Sequence, residues 1–345
     1  MPTAKTECTE LSVGFGLLNI GPLGLSLDQI QNQFSGTLAE EKYVGFIREY
    51  DTNPDLYRQF IEIGRRLRTS YPLFTNLTQI NWCGPQQQAA TTTASMDLVA
   101  ANVPISIKNN SNVVLNPSPY NMFITIPSGS MPATNADNWY EMTGPREIAD
   151  LYTFVQEGSG LAIPRTFSEF DLGASKGDRK NLQEYIKNLV GENKAIFDDR
   201  YMRMCRNVST VSADMFNDNY QTAFATNIRS SLLENIVKQF FRINGVPYIL
   251  VGLDSNRPFG LQIPDITDWK RNWKINELRA TPDLTRRQSV VDIRILVEEK
   301  SSKTTHNMDF HVEIRWSHGK FCGNPEAKLY KEFPWSAVPF FRSIL

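Results

Sequence analysis

Histidine and cysteine are scarce in this chain of 345 residues, and neither forms a pattern typical of a metal site. The three histidines all lie after residue 305, and the four cysteines stand far apart without a Cys-x-x-Cys pair. The spacing of a zinc site is therefore absent. Because the cysteines suggest no disulfide framework, we expect a reducing, cytoplasmic environment.

An excess of charge and a long apolar run are also lacking. The 36 basic and 37 acidic side chains give a net charge of −1, which argues against a protein that coats nucleic acid with its whole surface. Residues 256–345 nevertheless carry 15 basic and 11 acidic side chains, so an anionic partner fits this part best. No apolar run approaches the roughly 20 residues of a membrane-spanning helix, and we expect no membrane partner.

Hydrophobic spacing predicts a mixed fold of helices and strands. Helices are predicted at 26–36, 37–50, 55–69, 145–156, 178–191 and 226–243. Strands are predicted at 78–83, 96–100, 103–108, 122–126, 246–253, 290–299 and 309–316. The Gly- and Leu-rich segment 11–25 is predicted to be irregular. This order indicates an α/β (α+β) fold, a mixed central β-sheet flanked by helices with a β-rich C-terminal part.

The stretch "SMDLVAANVPISIK" at 95–108 carries the strongest chemical pattern. A two-residue turn at Ala101-Asn102 would pair two short strands and place Asp97 opposite Ser106. Since strand side chains alternate between faces, Ser106 and Lys108 share one face with Asp97. An acid and a lysine would thus lie side by side on a rigid hairpin.

This combination suits magnesium-dependent hydrolysis of a phosphodiester. Mg²⁺ prefers carboxylate and carbonyl oxygens and keeps several waters, so Asp97 and the outward carbonyl of Ile107 are candidate ligands. A lysine beside a metal-bound water can assist attack on phosphorus.

Asp97, eight intervening residues and Ser106-Ile107-Lys108 resemble the active-site hairpin of the PD-(D/E)XK nucleases, which include many type II restriction endonucleases. The order of predicted elements over 55–253 is similar as well. The resemblance implies a restriction-endonuclease-like core at 55–255, a preceding arm with helices at 1–54 and a DNA-recognition part at 256–345. It also implies Mg²⁺ as cofactor, double-stranded DNA as substrate, a homodimer, and a cognate DNA methyltransferase in the host.

The hairpin departs from the family pattern at two positions. Met96 stands where the family has proline, and Ser106 stands where it usually has a second acid. Serine cannot carry that charge, although it can tune the site. In the family a displaced acid sometimes comes from the preceding helix. We favour Glu62 on the 55–69 helix as metal ligand, over Glu41 and Glu49 on the helix before it.

A second match, Asp292 with Glu298-Glu299-Lys300, contains the Glu-x-Lys element that the first lacks. No turn-forming residue separates its two acids, so both would lie on one strand about 20 Å apart, too far for a single metal. We interpret this strand's Asp292, Arg294 and Glu298 as a solvated or interface face.

Candidate DNA contacts follow the hairpin and recur near the C-terminus. Basic and aromatic residues interleave in the C-terminal part, where arginine can read guanine edges and lysine can bind phosphates. The predicted contacts are Asn109, Asn110, Arg286, Arg287, Arg315, His318 and Lys320.

Other functions are compatible with the same residues. An Asp–Lys pair across a hairpin is commonly a surface ion pair worth less than about 1 kcal/mol. The missing acid would also fit a non-catalytic nucleic-acid-binding protein on a nuclease-like fold. A protein-interaction module that uses the long C-terminal strands is a further alternative.

Overall fold

The computed structural model describes residues 4–84, 96–130, 137–225 and 229–345. Its fold is α+β, as predicted, with helices packed around two β-sheets. The helices are α1 (Ala4–Leu18), α2 (Leu27–Gln33), α3 (Glu40–Tyr50), α4 (Pro54–Ser70), α5 (Ile126–Ser128), α6 (Trp139–Thr143), α7 (Pro145–Ser159), α8 (Phe167–Gly173), α9 (Lys176–Lys187), α10 (Gly191–Phe224), α11 (Arg229–Phe241) and α12 (Ile266–Asn272). None of these helices is both long and apolar enough to span a lipid bilayer.

The strands form a central sheet and a C-terminal sheet. They are β1 (Asn81–Trp82), β2 (Leu98–Ala100), β3 (Val103–Asn109), β4 (Val113–Leu115), β5 (Tyr248–Asp254), β6 (Arg257–Ile263), β7 (Trp273–Asp283), β8 (Ser289–Glu299), β9 (Thr305–Trp316), β10 (Pro325–Lys331) and β11 (Arg342–Ser343). The central sheet has the order β1-β2-β3-β5-β6-β11, and the C-terminal sheet has the order β4-β10-β9-β8-β7. Among the described strands of the central sheet, β3 and β5 run parallel and the other neighbouring pairs are antiparallel. Helices α5–α11 and strand β4 lie between β3 and β5 in the chain.

The hairpin of β2 and β3 is formed in the predicted register. Leu98 faces Ile105, and Ala100 faces Val103. Ala101 and Asn102 both have positive φ, +46° and +63°, as a two-residue turn of type I′ requires. The local alternation of apolar and polar residues therefore predicted the hairpin and its register correctly.

Residues 11–25 were expected to be irregular, but most of them belong to α1. Its residues from Cys8 to Leu18 are all buried, so the helix has no polar face that would reveal its period. Gly16 contacts α4 so closely that a Cβ there would lie 2.0 Å from the Ile61 carbonyl oxygen. Gly16, one of the glycines that argued against a helix, therefore allows this close crossing.

Two other elements differ from what the local pattern predicted. Residues 122–126 were expected to form a strand, but the chain is helical from Asn121 through α5 and buries Met122, Phe123 and Ile126. The 34-residue helix α10 was not predicted. It buries one or two side chains in each turn from Phe197 to Ala223, and its neighbours include α7, β7 and β8.

The central sheet is buried on both faces. On one face, Ile105, Ile107, Ile249 and Val251 pack in one apolar cluster with residues of α1–α4. Side chains of alternate residues such as Leu250 belong to the second cluster, with α10, α11 and the C-terminal sheet. Packing on both faces holds in fixed positions strands β2 and β3, which carry or adjoin Asp97, Ser106 and Lys108.

The expected boundaries at 54/55 and 255/256 do not coincide with this packing. Helices α1–α3 share a cluster with the central sheet rather than forming an arm. Strands β5 and β6 are hydrogen-bonded neighbours on either side of residue 255, so the central sheet continues into the C-terminal part. Strand β4 belongs by sequence to the predicted core at 55–255, but it pairs with β10 in the C-terminal sheet.

Candidate active site

Asp97 is held at the open end of β2 by the neighbouring strand. Its backbone N–H donates to the Ile105 carbonyl at 2.9 Å. Its carboxylate Oδ2 accepts hydrogen bonds from the Ile107 backbone N–H at 2.6 Å and from the Ser106 hydroxyl at 3.3 Å. Ser106, which replaces an expected acid, is therefore a buried donor that orients Asp97. Burial raises the pKa of Asp97, whereas Lys108 and these two hydrogen bonds oppose that shift.

Lys108 follows on the same strand face as Ser106 and is partly withdrawn from solvent. Burial lowers the pKa of the Lys108 ammonium. The negative charge of Asp97 opposes the shift, and the positive charge of Arg242 adds to it. A lysine in this environment exchanges a proton more readily near neutral pH than an exposed one.

Glu10 on α1 is the acid that the structure brings to the hairpin. Its side chain is buried, and Oε2 accepts a 2.9 Å hydrogen bond from the indole N–H of Trp82 on β1. Burial raises the pKa of Glu10 to about 8, and repulsion from Asp97 contributes in the same direction. The Trp82 hydrogen bond and Lys108 lower it. Glu10, Asp97 and Lys108 therefore form one electrostatically coupled group.

A cavity of about 480 Å³ opens beside this group. It lies between the first turns of α1 and the end of β3. Its walls are Lys5, Thr6, Thr9, Glu10, Ile107, Lys108, Asn109, Asn110 and Ser111. Glu10 and Lys108 thus line a space that a ligand can enter.

The oxygen donors at the cavity fit a hard divalent cation. Two carboxylates, those of Glu10 and Asp97, repel each other and are desolvated, so a cation between them would relieve an unfavourable arrangement. The Ile107 carbonyl points to the same side of β3 as its N–H, which faces Asp97. Among the described residues no group of three or more His, Cys, Asp or Glu side chains is placed to hold a metal. Mg²⁺ is commonly bound by only one or two carboxylates with water and substrate oxygens.

The structure does not bring the favoured Glu62 to the hairpin. Glu62 lies on the solvent face of α4, where its carboxylate is 3.8 Å from Arg65. Glu41 is exposed on α3, and Glu49 accepts a 2.6 Å hydrogen bond from the Tyr57 hydroxyl. Glu10 was missed because its helix was not recognised. The sequence did contain an indication of its role: Glu10 is an acid next to an apolar run, and burying an unpaired charge there would cost free energy of folding.

The predicted DNA contacts lie at separate places. Asn109 and Asn110 both line the cavity, and the side chain of Asn110 also exchanges hydrogen bonds of 2.8 and 2.7 Å with Asn256 at the β5–β6 turn. Arg286 pairs with Asp283, and Arg315 pairs with Glu326 at 3.0 Å. Arg287 and His318 are exposed, and Lys320 lies over the rings of Tyr201 and Phe197.

The second motif match does lie along one strand. Asp292 and Glu298 are both on β8, with Asp292 exposed. Glu298 pairs with Lys274 at 3.1 Å and accepts a hydrogen bond from Asn276 on β7. Both of these contacts are therefore with residues of the neighbouring strand β7.

No protein-family model, curated protein or solved structure matches this chain.

Proposed function

We propose that the protein is a Mg²⁺-dependent endonuclease that hydrolyses phosphodiester bonds of double-stranded DNA at specific sequences. The observation that carries this proposal is that Glu10 and Lys108 line one cavity and that the charge of Asp97 acts on both of them. Glu10 supplies from α1 the second negative charge that Ser106 cannot provide. The resemblance to the PD-(D/E)XK nucleases then extends from the hairpin to a complete set of two acids and one lysine.

The arrangement of the sheet supports the same proposal. Strands β1, β2 and β3 are antiparallel neighbours, and β5 follows α11 to lie parallel beside β3. This is the order of helix, three strands, helix and strand on which the resemblance rests.

The residues of the chain have separable roles in the proposed reaction. Asp97 and Glu10 would hold Mg²⁺ with the Ile107 carbonyl, and the bound cation would offset negative charge on the phosphate. Ser106 and the Ile107 N–H keep Asp97 in one orientation. Lys108 orients the attacking water and, with its lowered pKa, is suited to accept or share its proton.

The remaining parts of the proposal follow from the resemblance. The enzyme would act as a homodimer on palindromic sites in the cytoplasm, and a cognate methyltransferase would protect the host's own sites. Asn109, which lines the cavity, would contact the DNA near the cleaved bond, whereas the side chain of Asn110 is hydrogen-bonded to Asn256.

The test is cleavage of several long unmethylated duplex DNAs in Mg²⁺ and in EDTA. We expect discrete fragments that require Mg²⁺. The Lys108→Ala variant should cut at least about 100-fold more slowly, the usual loss when one charged group of an active site is removed. Lys180→Ala, which removes an exposed lysine of α9, is the matched control and should cut normally.

Three outcomes would contradict the proposal. DNA binding without cleavage would favour the non-catalytic nucleic-acid-binding alternative. Neither binding nor cleavage would favour the protein-interaction alternative. Undiminished cleavage by Lys108→Ala, with folding confirmed by circular dichroism, would place the active site elsewhere.

A further inference from the structure

A second cavity, of about 420 Å³, lies between α9, α10 and the turn that follows β9. Its walls include Gln183, Lys187, Tyr201, Arg315, Gly319 and Lys320. Among the described lining residues three are cations and none is an acid. The lining therefore has one sign of charge, although the chain as a whole is nearly neutral.

Lys320 is the cation without a direct acidic partner. Among the described residues no carboxylate lies within the 4.0 Å of an ion pair from its ammonium. The ammonium instead lies 4.5 Å from the ring centre of Tyr201 and 5.7 Å from that of Phe197. Asp198 is near enough to interact, but it already pairs with Lys194. Lys320 is partly buried, and this burial lowers the pKa of its ammonium.

The turn that carries Lys320 is fixed against α9. The side-chain amide of Gln183 donates a 2.8 Å hydrogen bond to the carbonyl of His318. Gly319 has φ of +96°, and a Cβ there would lie 2.0 Å from the Gln183 amide nitrogen. The positive φ favours glycine at position 319, and the hydrogen bond from Gln183 holds the turn that carries Lys320 against α9.

The other two cations are only partly neutralised. Arg315 pairs with Glu326 at 3.0 Å, but the same carboxylate also pairs with Lys328 at 3.4 Å. One acid thus serves two bases on β9 and β10. Lys187 is 3.7 Å from Glu184, and both side chains are mostly exposed. An excess of positive charge remains around the cavity.

We propose that this cavity binds a phosphate group, with Lys320 as its main contact and Arg315 and Lys187 at its rim. Anionic oxygens would complete the hydrogen bonds of the Lys320 ammonium, and arginine suits phosphate by geometry and charge. This inference rests on the proposed function: the bound phosphate would be one of the DNA backbone, at a distance from the cleaved bond. The alternative source of the phosphate is a free phosphorylated molecule, which would make the same contacts.

The first arm of the test measures binding of a labelled duplex without Mg²⁺, so that cleavage does not interfere. Lys320→Gln is compared with Lys180→Gln, which removes the same charge from an exposed position on α9. We expect Lys320→Gln to weaken binding about tenfold, the loss of one charge-assisted hydrogen bond. It should also reduce the salt dependence of log K by about 0.9, the contribution of one phosphate contact.

The second arm titrates the protein with inorganic pyrophosphate by calorimetry. Saturable binding that Lys320→Gln abolishes, combined with unchanged DNA binding, would assign the site to a free phosphorylated ligand. Lys320→Arg keeps the charge and the aromatic contact, so it should restore either kind of binding. It also shows that a loss in Lys320→Gln does not come from misfolding.

The inference is overturned if Lys320→Gln matches Lys180→Gln in both arms. This outcome is distinct from failure of the proposed function, which is measured by Mg²⁺-dependent cleavage and the Lys108→Ala variant. A protein that never cuts DNA yet binds pyrophosphate through Lys320 would retain the site and lose the nuclease.

Discussion

Trp82 donates its indole N–H to the carboxylate of Glu10 across a distance of 2.9 Å, which links β1 to α1 at the edge of the proposed active site. The two residues are 72 positions apart, and both are buried. This hydrogen bond favours the charged form of Glu10, whereas burial and Asp97 favour the neutral form. Because burial prevails, the carboxyl retains a proton at neutral pH unless a cation approaches.

The first prediction concerns the pH dependence of stability. The pKa of Glu10 is about 8 in the folded state and about 4.5 as an unperturbed group, so the folded state binds the extra proton between these values. The free energy of unfolding should therefore fall as pH rises from about 5 to 8, by up to about 1.4 kcal/mol per pH unit from this group.

Urea unfolding of Glu10→Gln in metal-free buffer measures that contribution. The variant keeps an oxygen that accepts from Trp82, and its stability should depend less on pH than that of the wild type. Glu62→Gln, on the exposed face of α4, should follow the wild-type curve. Identical curves for Glu10→Gln and the wild type would contradict the raised pKa.

The second prediction concerns the crossing of α1 and α4, which positions Glu10. A Cβ at Gly16 would lie 2.0 Å from the carbonyl oxygen of Ile61. Gly16→Ala should lower the free energy of unfolding by about 3 kcal/mol, the upper part of the range for overpacked sites, since backbone must move. It should also reduce cleavage by displacing α1.

Gly45 on α3 provides the control, because nothing lies within 4 Å of the position of its Cβ. Gly45→Ala should raise the free energy of unfolding by about 0.5–1 kcal/mol through lower entropy of the unfolded chain. Equal effects of the two substitutions in thermal unfolding would contradict the close helix crossing.

The third prediction concerns a buried ion pair where the two sheets meet. Lys331 of β10 is almost fully buried and donates to Asp254 of β5 at 2.9 Å and to Asn112 at 3.2 Å. Lys331→Met should lower stability by about 3–5 kcal/mol, since it leaves Asp254 without its cation.

Lys303→Met is the matched control, because it removes an exposed lysine of an ion pair instead of a buried one. Lys303 is exposed and 3.8 Å from Glu298, so its removal should change stability by less than about 1 kcal/mol. Addition of Asp254→Asn to Lys331→Met should restore part of the loss. A cost for Lys331→Met as small as that for Lys303→Met would contradict a structural role for the pair.

The sequence predicted those features that depend on neighbouring residues. The β2–β3 register follows from alternation around Ala101-Asn102, and it places Asp97 beside Lys108. The same local pattern could not reveal α1, which is buried on every side from Cys8 to Leu18 and contains Gly16, a glycine that the contact with α4 explains. Glu10 therefore became visible only when the fold brought α1 against β1 and β3.

The same limit applies to the C-terminal residues. Arg286 and Arg315 are basic in the sequence, but their partners Asp283 and Glu326 are known only from the folded chain. Lys320 differs because its aromatic neighbours lie on α10, more than a hundred residues earlier, and they leave its charge available to an anion.

The central claim is that Glu10, Asp97 and Lys108 form one nuclease site, with Glu10 as its second acid. The most direct measurement is the initial rate of Mg²⁺-dependent DNA cleavage by the wild type, Glu10→Gln and Glu62→Gln, with folding of each verified by circular dichroism. We predict discrete fragments from the wild type, a rate for Glu10→Gln lower by at least about 100-fold, and a rate for Glu62→Gln within about twofold of the wild type. A wild-type protein that cuts no unmethylated DNA, or a Glu10→Gln variant that cuts at the wild-type rate, would contradict the claim.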